Sequence, residues 1–263
     1  MTANVITVTS GKGGVGKTTV TVNLAVSLAL RGRKVVCIDG DIGLRNMDVI
    51  LGLENRIVYD LVDAAEGRCR LKQAMIHDKR LSDLYLIPAS QTRDKDAVTP
   101  EQMIQICNDL RDEFDYIIID SPAGIEQGFK NAVAPADRIL IVTNPEVSAV
   151  RDADRIIGLI EAEGKGPGEL VLNRINKAMV ERGDMMNQDD VNELLAIELI
   201  GLIPEDENVI VSTNRGTPIA FDEKTAAGKA FRNLAARVEG ESVPFDELDV
   251  KDSFMARLKK IFG

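Results

Sequence analysis

The chain has 263 residues, 44% hydrophobic and 28% charged, enough to fill the core of one large α/β unit. Its formal net charge of −10 excludes a broad basic footprint for nucleic acid, although a local basic patch stays compatible with it. Cys37, Cys69 and Cys107 lie far apart with no C-x-x-C spacing, which argues against a disulfide framework, a zinc site or an iron–sulfur cluster and predicts a reduced, cytosolic setting.

The opening MTANVITVTSGKGG lacks the basic n-region of a signal peptide and runs straight into a predicted strand, Val5–Thr9. A helix follows over Thr18–Leu30, with apolar Val22, Ala25, Leu28 and Ala29 on one face and Gly32 as its stop. Further strands are predicted at Lys34–Asp39, Leu84–Pro88, Tyr116–Asp120, Ile139–Thr143, Glu169–Leu172 and Glu198–Ile203, with helices at Pro100–Phe114 and Val147–Ala162. Several of the strands are nearly continuous aliphatic runs, as expected when both faces are covered. The lone His77 sits among charged residues and reads as surface, and Cys37 as a small core residue. Strand–helix alternation predicts an α/β fold: a doubly wound, mostly parallel sheet with helices on both faces and ligands at the carboxyl ends of its strands. Residues 1–238 form this body; 239–252 (EGESVPFDELDVKD) read as an acidic linker, and 253–263 (SFMARLKKIFG) as a separate amphipathic helix. No apolar run approaches the ~18 residues that a bilayer span needs.

Residues 10–19, SGKGGVGKTT, fit G-x-x-x-x-G-K-[ST] between the first strand and the first helix, the context that a phosphate-binding loop needs. Gly11, Gly13, Gly14 and Gly16, with Val15 among them, let backbone N–H groups turn onto phosphate oxygens. Lys17 supplies charge to the β- and γ-phosphates, the Thr18 hydroxyl suits Mg²⁺, and the helix N-terminus at Thr18 and Thr19 adds partial positive charge. Asp120 ends YIIID, where a carboxylate can hold the Mg²⁺ shell. Asp39 and Asp41 follow KVVCI, and one of them is placed to orient a water for in-line attack.

The loop carries an additional lysine, Lys12. The pattern G-K-G-G-V-G-K-T-T resembles the deviant Walker A loop of the MinD/ParA ATPases. Likeness to that family continues through DGDIGLRNMD at 39–48, RIVYDLVD at 56–63, IPASQTRDKDA at 87–97, DSPAGIE at 120–126, TNPEVSAVRDADR at 143–155, ERGDM at 181–185 and IPED at 203–206. The resemblance implies a slow Mg²⁺-dependent ATPase that forms a homodimer with ATP. Lys12 would then reach the partner's bound phosphates, and two facing triphosphates need that countercharge. The resemblance also implies that Asp41 positions the hydrolytic water and that Asp39 joins Thr18 and Asp120 at the metal. DGDIGLRN at 39–46 would be a first switch and DSPAG at 120–124 a second, whose Gly124 would swing toward the γ-phosphate; Asn173 and the Pro204–Glu205–Asp206 turn would hold adenine, and Glu146 would lie near the partner's ribose. Gly40 stands where relatives often carry a bulky apolar residue, which predicts a looser first switch. The implied role is to position the division site with two partners, a division-inhibitor protein and an ATPase activator. Arg151, Asp152 and Asp154 are candidate partner contacts, and ordinary solvated charge explains them as well.

On a helical wheel Phe254, Met255, Leu258, Ile261 and Phe262 fall within about 120°. Lys251, Asp252, Arg257, Lys259 and Lys260 give this end a local charge of +3 on a chain of −10. That asymmetry predicts an interfacial helix attracted to an anionic membrane surface, with the protein peripheral on the inner face of the cell membrane or the stromal side in a plastid. The alternative reading, a ParA-type DNA-partitioning ATPase, needs a basic face that the charge disfavours. A metabolic kinase or ligase should display a substrate pocket, and nothing in the sequence marks one.

Overall fold

A computed structural model describes residues 2–94 and 96–245. Among the described residues eight strands form one sheet: β1 Asn4–Thr9, β2 Val35–Asp39, β3 Ile76–His77, β4 Leu84–Ile87, β5 Tyr116–Asp120, β6 Arg138–Thr143, β7 Glu169–Ile175 and β8 Glu198–Pro204. Their order is β3-β4-β2-β5-β1-β6-β7-β8, and only the edge pair β3–β4 is antiparallel. The doubly wound, mostly parallel sheet expected from the aliphatic runs is therefore present, and all seven predicted strands fall in it. β3 escaped the reading because two residues carry no periodicity.

Alternate residues of each strand feed opposite layers. Ile6, Val8, Val35, Cys37 and Ile118 face a core shared with the helices Lys17–Leu30 and Ala226–Val238, while Val5, Val36, Ile38, Ile117 and Ile119 face one shared with the helix Pro100–Leu110. On that second side Ile139, Ile141, Leu170 and Leu172 pack on the helix Val147–Ala162. The helix Lys17–Leu30 departs from its predicted one-sided pattern. It is buried nearly all round because Ala226–Val238 and the helix Met47–Leu51 cover its outer face. Pro100–Leu110 stops short of the predicted Phe114, whose ring is buried beyond the helix end. Thr99 caps its N-terminus by accepting from Gln102 N–H, and Pro100 needs no donor there.

At the amino ends of the strands, Arg138 pairs bidentately with Glu169 at 2.9 and 2.7 Å and donates to the Val238 carbonyl at 2.8 Å. Glu239 accepts from Arg31 and Arg33, and Glu241 from Arg31. Arg237 donates to the Val243 and Pro244 carbonyls and lies over the Phe245 ring, so the first residues after the last helix are held on the body. The remainder of the predicted linker and the segment 253–263 lie outside the described residues.

Asn23 joins the first helix to the turn Ile219–Phe221. Buried in the first helix, it donates to Thr19 O at 2.8 Å and accepts from the buried Ala220 N–H at 2.9 Å. Asn23→Ala leaves that N–H without a partner and should cost about 1–3 kcal/mol in chemical denaturation. Ser27→Ala removes only a back-bond to Asn23 O and should cost less, because that carbonyl keeps its place in the helix ladder.

Candidate active site

The site forms where three strands end. β1 runs out into the loop 10–16, β5 stops at Asp120 and β2 at Asp39. Asp39 and Asp120 are register partners on neighbouring strands, which sets two buried carboxylates side by side. Lys17 opens the first helix, and its buried ammonium lies 3.3 Å from Asp120 Oδ1. Thr21, one turn on, shares its hydroxyl between the same oxygen and Lys17 O.

Asp39 accepts three backbone N–H groups, from Asp41 at 3.1 Å and from Asn46 and Met47 at 3.2 Å. Those bonds favour its carboxylate. Burial and then the charge of Asp120 outweigh them and push its pKa up to about 7. One ammonium against two carboxylates leaves this floor short of positive charge. Asp120 Oδ2 is buried with no hydrogen-bond partner, and the Thr18 hydroxyl side of the helix borders the cavity above. An orphaned carboxylate oxygen, a second buried carboxylate and a hydroxyl are the hard oxygen donors that suit Mg²⁺.

Above the floor lie two cavities of about 460 and 350 Å³ that share Gly16, Thr19 and Arg174. The larger is bordered by Lys12, Gly13, Gly14, Lys17, Thr18 and Asp41, the smaller by Asn173, Pro204, Glu205 and Asp206. Asn173 secures their seam by donating to Val15 O at 2.7 Å. A Cβ at Gly16, where φ is +94°, would fall 2.3 Å from that amide. Phosphates on the loop side and a base in the smaller cavity, which Pro204, Val209 and Phe231 also border, would fit a nucleotide laid across both.

The predicted residues thus converge, with informative detail. Lys17 is buried, whereas Lys12 is 44% exposed, with its ammonium 3.2 Å from Ser148 Oγ and 3.9 Å from Glu146 Oε2 of its own chain. Gly124 N–H donates to Ser10 O at 3.3 Å, which tethers the turn after β5 to the loop. Gly11 packs on the backbone of Asp152, placing the loop directly against the helix Val147–Ala162. Glu205 accepts from the Asn176 amide, and Asp206 from Asn208 and from Ala227 N–H, so both carboxylates serve the fold beside the smaller cavity. At Gly40 the structure shows close packing where slack was expected. Its N–H donates to Asp120 O at 2.9 Å, and a Cβ would come within 2.7 Å of that oxygen.

Sequence reasoning missed Arg174, which borders both cavities from a left-handed backbone at φ +57° beside an irregularity in the β7–β8 pairing. Its cue would have been the polar pair Asn173–Arg174 at a strand's carboxyl end. It also missed exposed apolar residues on the cavity walls: Leu44 and Val49 on the larger cavity and Ile210 on the smaller stand 63%, 49% and 65% exposed. Isolated apolar residues are ordinary on a surface, but several gathered at the edges of adjoining cavities suit a surface that is covered.

The raised pKa of Asp39 has a signed consequence. The folded state binds this proton more tightly than the unfolded chain, whose aspartates ionise near ~3.9. This group's contribution is therefore full below about pH 4 and is lost as pH rises toward about 7. Without nucleotide or metal, the stability of Asp39→Asn relative to the native protein should climb across that window. Urea midpoints at several pH values measure it.

Residues 6–219 match the CobQ/CobB/MinD/ParA nucleotide binding domain. The septum site-determining protein MinD of Bacillus subtilis is 54% identical over 98% of this chain and 97% of its own length, and that of Escherichia coli 47% identical over 99% of each. Among solved structures, the MinC:MinD cell division protein complex of Aquifex aeolicus superposes with a TM-score of 0.88 at 49% identity, covering 93% of this chain and 99% of that one. MinD of Pyrococcus horikoshii complexed with Mg-ADP superposes with a TM-score of 0.81 at 29% identity, covering 90% of this chain and 96% of that one. Fold, site and near full-length likeness agree: the chain belongs to the MinD/ParA family of nucleotide-binding ATPases, in its septum site-determining MinD branch.

Proposed function

We propose that this chain is an ATP-driven switch that pairs, attaches to a membrane and positions the division site, with hydrolysis reversing the attachment. The observation that carries the reading is the division of labour between its two loop lysines. Lys17 is buried on Asp120, committed to the phosphates of its own pocket, while Lys12 stands exposed at the mouth on Ser148 and Glu146. A lysine so placed needs only to change partners to serve a second copy.

In this reading Gly13, Gly14 and Gly16 present backbone N–H groups to the phosphates, and Lys17 balances their charge. Thr18, Asp39 and Asp120 would hold Mg²⁺, which supplies further charge neutralisation when bound. Asp41 orients the hydrolytic water. Gly124 N–H gives up Ser10 O to donate to the γ-phosphate, so the second switch reports which nucleotide is present. Asn173 and the Pro204–Asp206 turn flank adenine. Lys12 moves to the partner's phosphates and Glu146 lies near the partner's ribose, while the exposed apolar Leu44, Val49 and Ile210 are covered by the second copy. Basal turnover is slow because the site is complete only in the pair.

Residues 253–263 supply the membrane contact. Five apolar side chains make a weak anchor, so one copy binds reversibly. Two copies held together gain about a hundredfold in avidity. ATP thereby becomes a signal for attachment to an anionic inner membrane surface. A MinC-like division inhibitor is the recruited partner, as the Aquifex aeolicus complex pairs MinC with MinD, and a MinE-like activator speeds hydrolysis. The resemblance supports both assignments, and the exposed Arg151 and Asp154 on the helix beside Lys12 are candidates for their contact.

Co-sedimentation with anionic vesicles tests the reading. The full chain should pellet with ATP and stay in solution with ADP or no nucleotide, and deletion of 253–263 should abolish pelleting while sparing ADP binding. Pelleting by the truncated chain, or equal pelleting in all three nucleotide states, would overturn it.

A further inference from the structure

We infer that Arg80, which borders neither cavity, is a positioning residue that ties the wall of the base cavity to the wall of the phosphate cavity. The two walls are short helices. Met47–Leu51, five residues, brings Val49 and Ile50 to the larger cavity. Asn208–Asn214, seven residues, brings Val209 and Ile210 to the smaller and Thr213 to the larger. Helices of this length are unstable alone and hold their place only through tertiary contacts. For Asn208–Asn214 those contacts are thin, since none of its residues is fully buried.

The two helices meet at their carboxyl ends. Gly52 and Gly216, both left-handed at φ +64° and +59°, cross backbone to backbone, and a Cβ on Gly216 would come within 2.7 Å of Gly52 Cα. The last carbonyls of a helix lack internal partners and carry partial negative charge. Arg80 meets one such carbonyl at Leu51 and also the carbonyl of Gly216, two residues past the end of Asn208–Asn214. Its Nη2 donates to Leu51 O at 2.7 Å and its Nη1 to Gly216 O at 2.8 Å. Nε and Nη2 hold the buried Asp78 at 3.1 and 2.6 Å, and the guanidinium carbon lies 5.1 Å from the centre of the Phe221 ring. Burial opposes the charge on Asp78, yet the hydrogen bonds and charge of Arg80 hold its carboxyl below the usual range. Asp78 is fixed in turn to β4 by its own N–H on Leu84 O at 2.9 Å, so the clamp is anchored to the sheet.

Only a planar fork reaches these acceptors together. A lysine can keep the charge beside Asp78 but cannot span Leu51 O and Gly216 O in the same geometry. The inference rests on the nucleotide reading given above, and the experiment separates the two. The native protein is titrated with ADP and with inorganic pyrophosphate, each with Mg²⁺, and the same is done for Arg80→Lys. Native binding of ADP tests the reading itself. If Arg80 positions the base wall, Arg80→Lys binds ADP about tenfold more weakly, the worth of one charge-assisted hydrogen bond. It should bind pyrophosphate within about twofold of native, because the loop 10–18 and Lys17 are untouched. A general loss of stability cannot produce that split, since it lowers the folded fraction for both ligands alike. Gly216→Ala, which forces the crossing apart, should show the same selective loss. Equal affinity for ADP in native and Arg80→Lys, or an equal loss for both ligands, would overturn the inference.

Discussion

The buried pair of Lys17 and Asp120 is the constraint on which the remainder of the site depends. An ammonium taken out of water needs a counter-charge at close range. Asp120 meets that need because β5 lies beside β1 and ends level with the loop that β1 feeds. The pair fixes the start of the first helix, the path of the loop and the turn after β5 at once: Ser121 N–H bonds Val8 O, and Gly124 N–H bonds Ser10 O. Asp39, brought alongside by β2, makes the cluster deficient in positive charge. A floor built this way has one obvious way to improve, the arrival of a cation together with its phosphates.

Much of this was legible in the sequence, for a physical reason. Strands buried on both faces must be continuous aliphatic runs, so VITVT, VVCID and YIIID announce themselves, and the residues at their carboxyl ends mark the ligand crevice. The loop is equally plain because its glycines and lysines answer to local stereochemistry. Short surface helices were not legible. Lys177–Arg182 and Gln188–Leu195 are started by side-chain caps from Asn176 and Asn187, and Asn208–Asn214 buries no residue fully, so no apolar period exposes it. Nor could sequence reveal Arg80, whose carbonyl partners lie 29 and 136 positions away. The partners of Lys12 were hidden likewise: Ser148 is 136 positions on, and only the fold sets it beside the loop.

Lys12 is where the static fold and the proposed switch meet. Its contacts with Ser148 and Glu146 are exposed and correspondingly weak, since ion pairs in water contribute little. A weak hold suits a residue that must leave, because a stronger counter-charge such as a facing triphosphate can displace it. The buried Lys17 has no such freedom. Two lysines five positions apart thus differ in role because one lies under the loop and the other on it.

The most direct test of this account replaces Lys12 with alanine and measures two quantities on one preparation, ADP affinity and ATP-dependent change in mass by light scattering. The account predicts ADP affinity close to native and no rise in mass with ATP. A Lys12→Ala protein that still doubles its mass on ATP would contradict it.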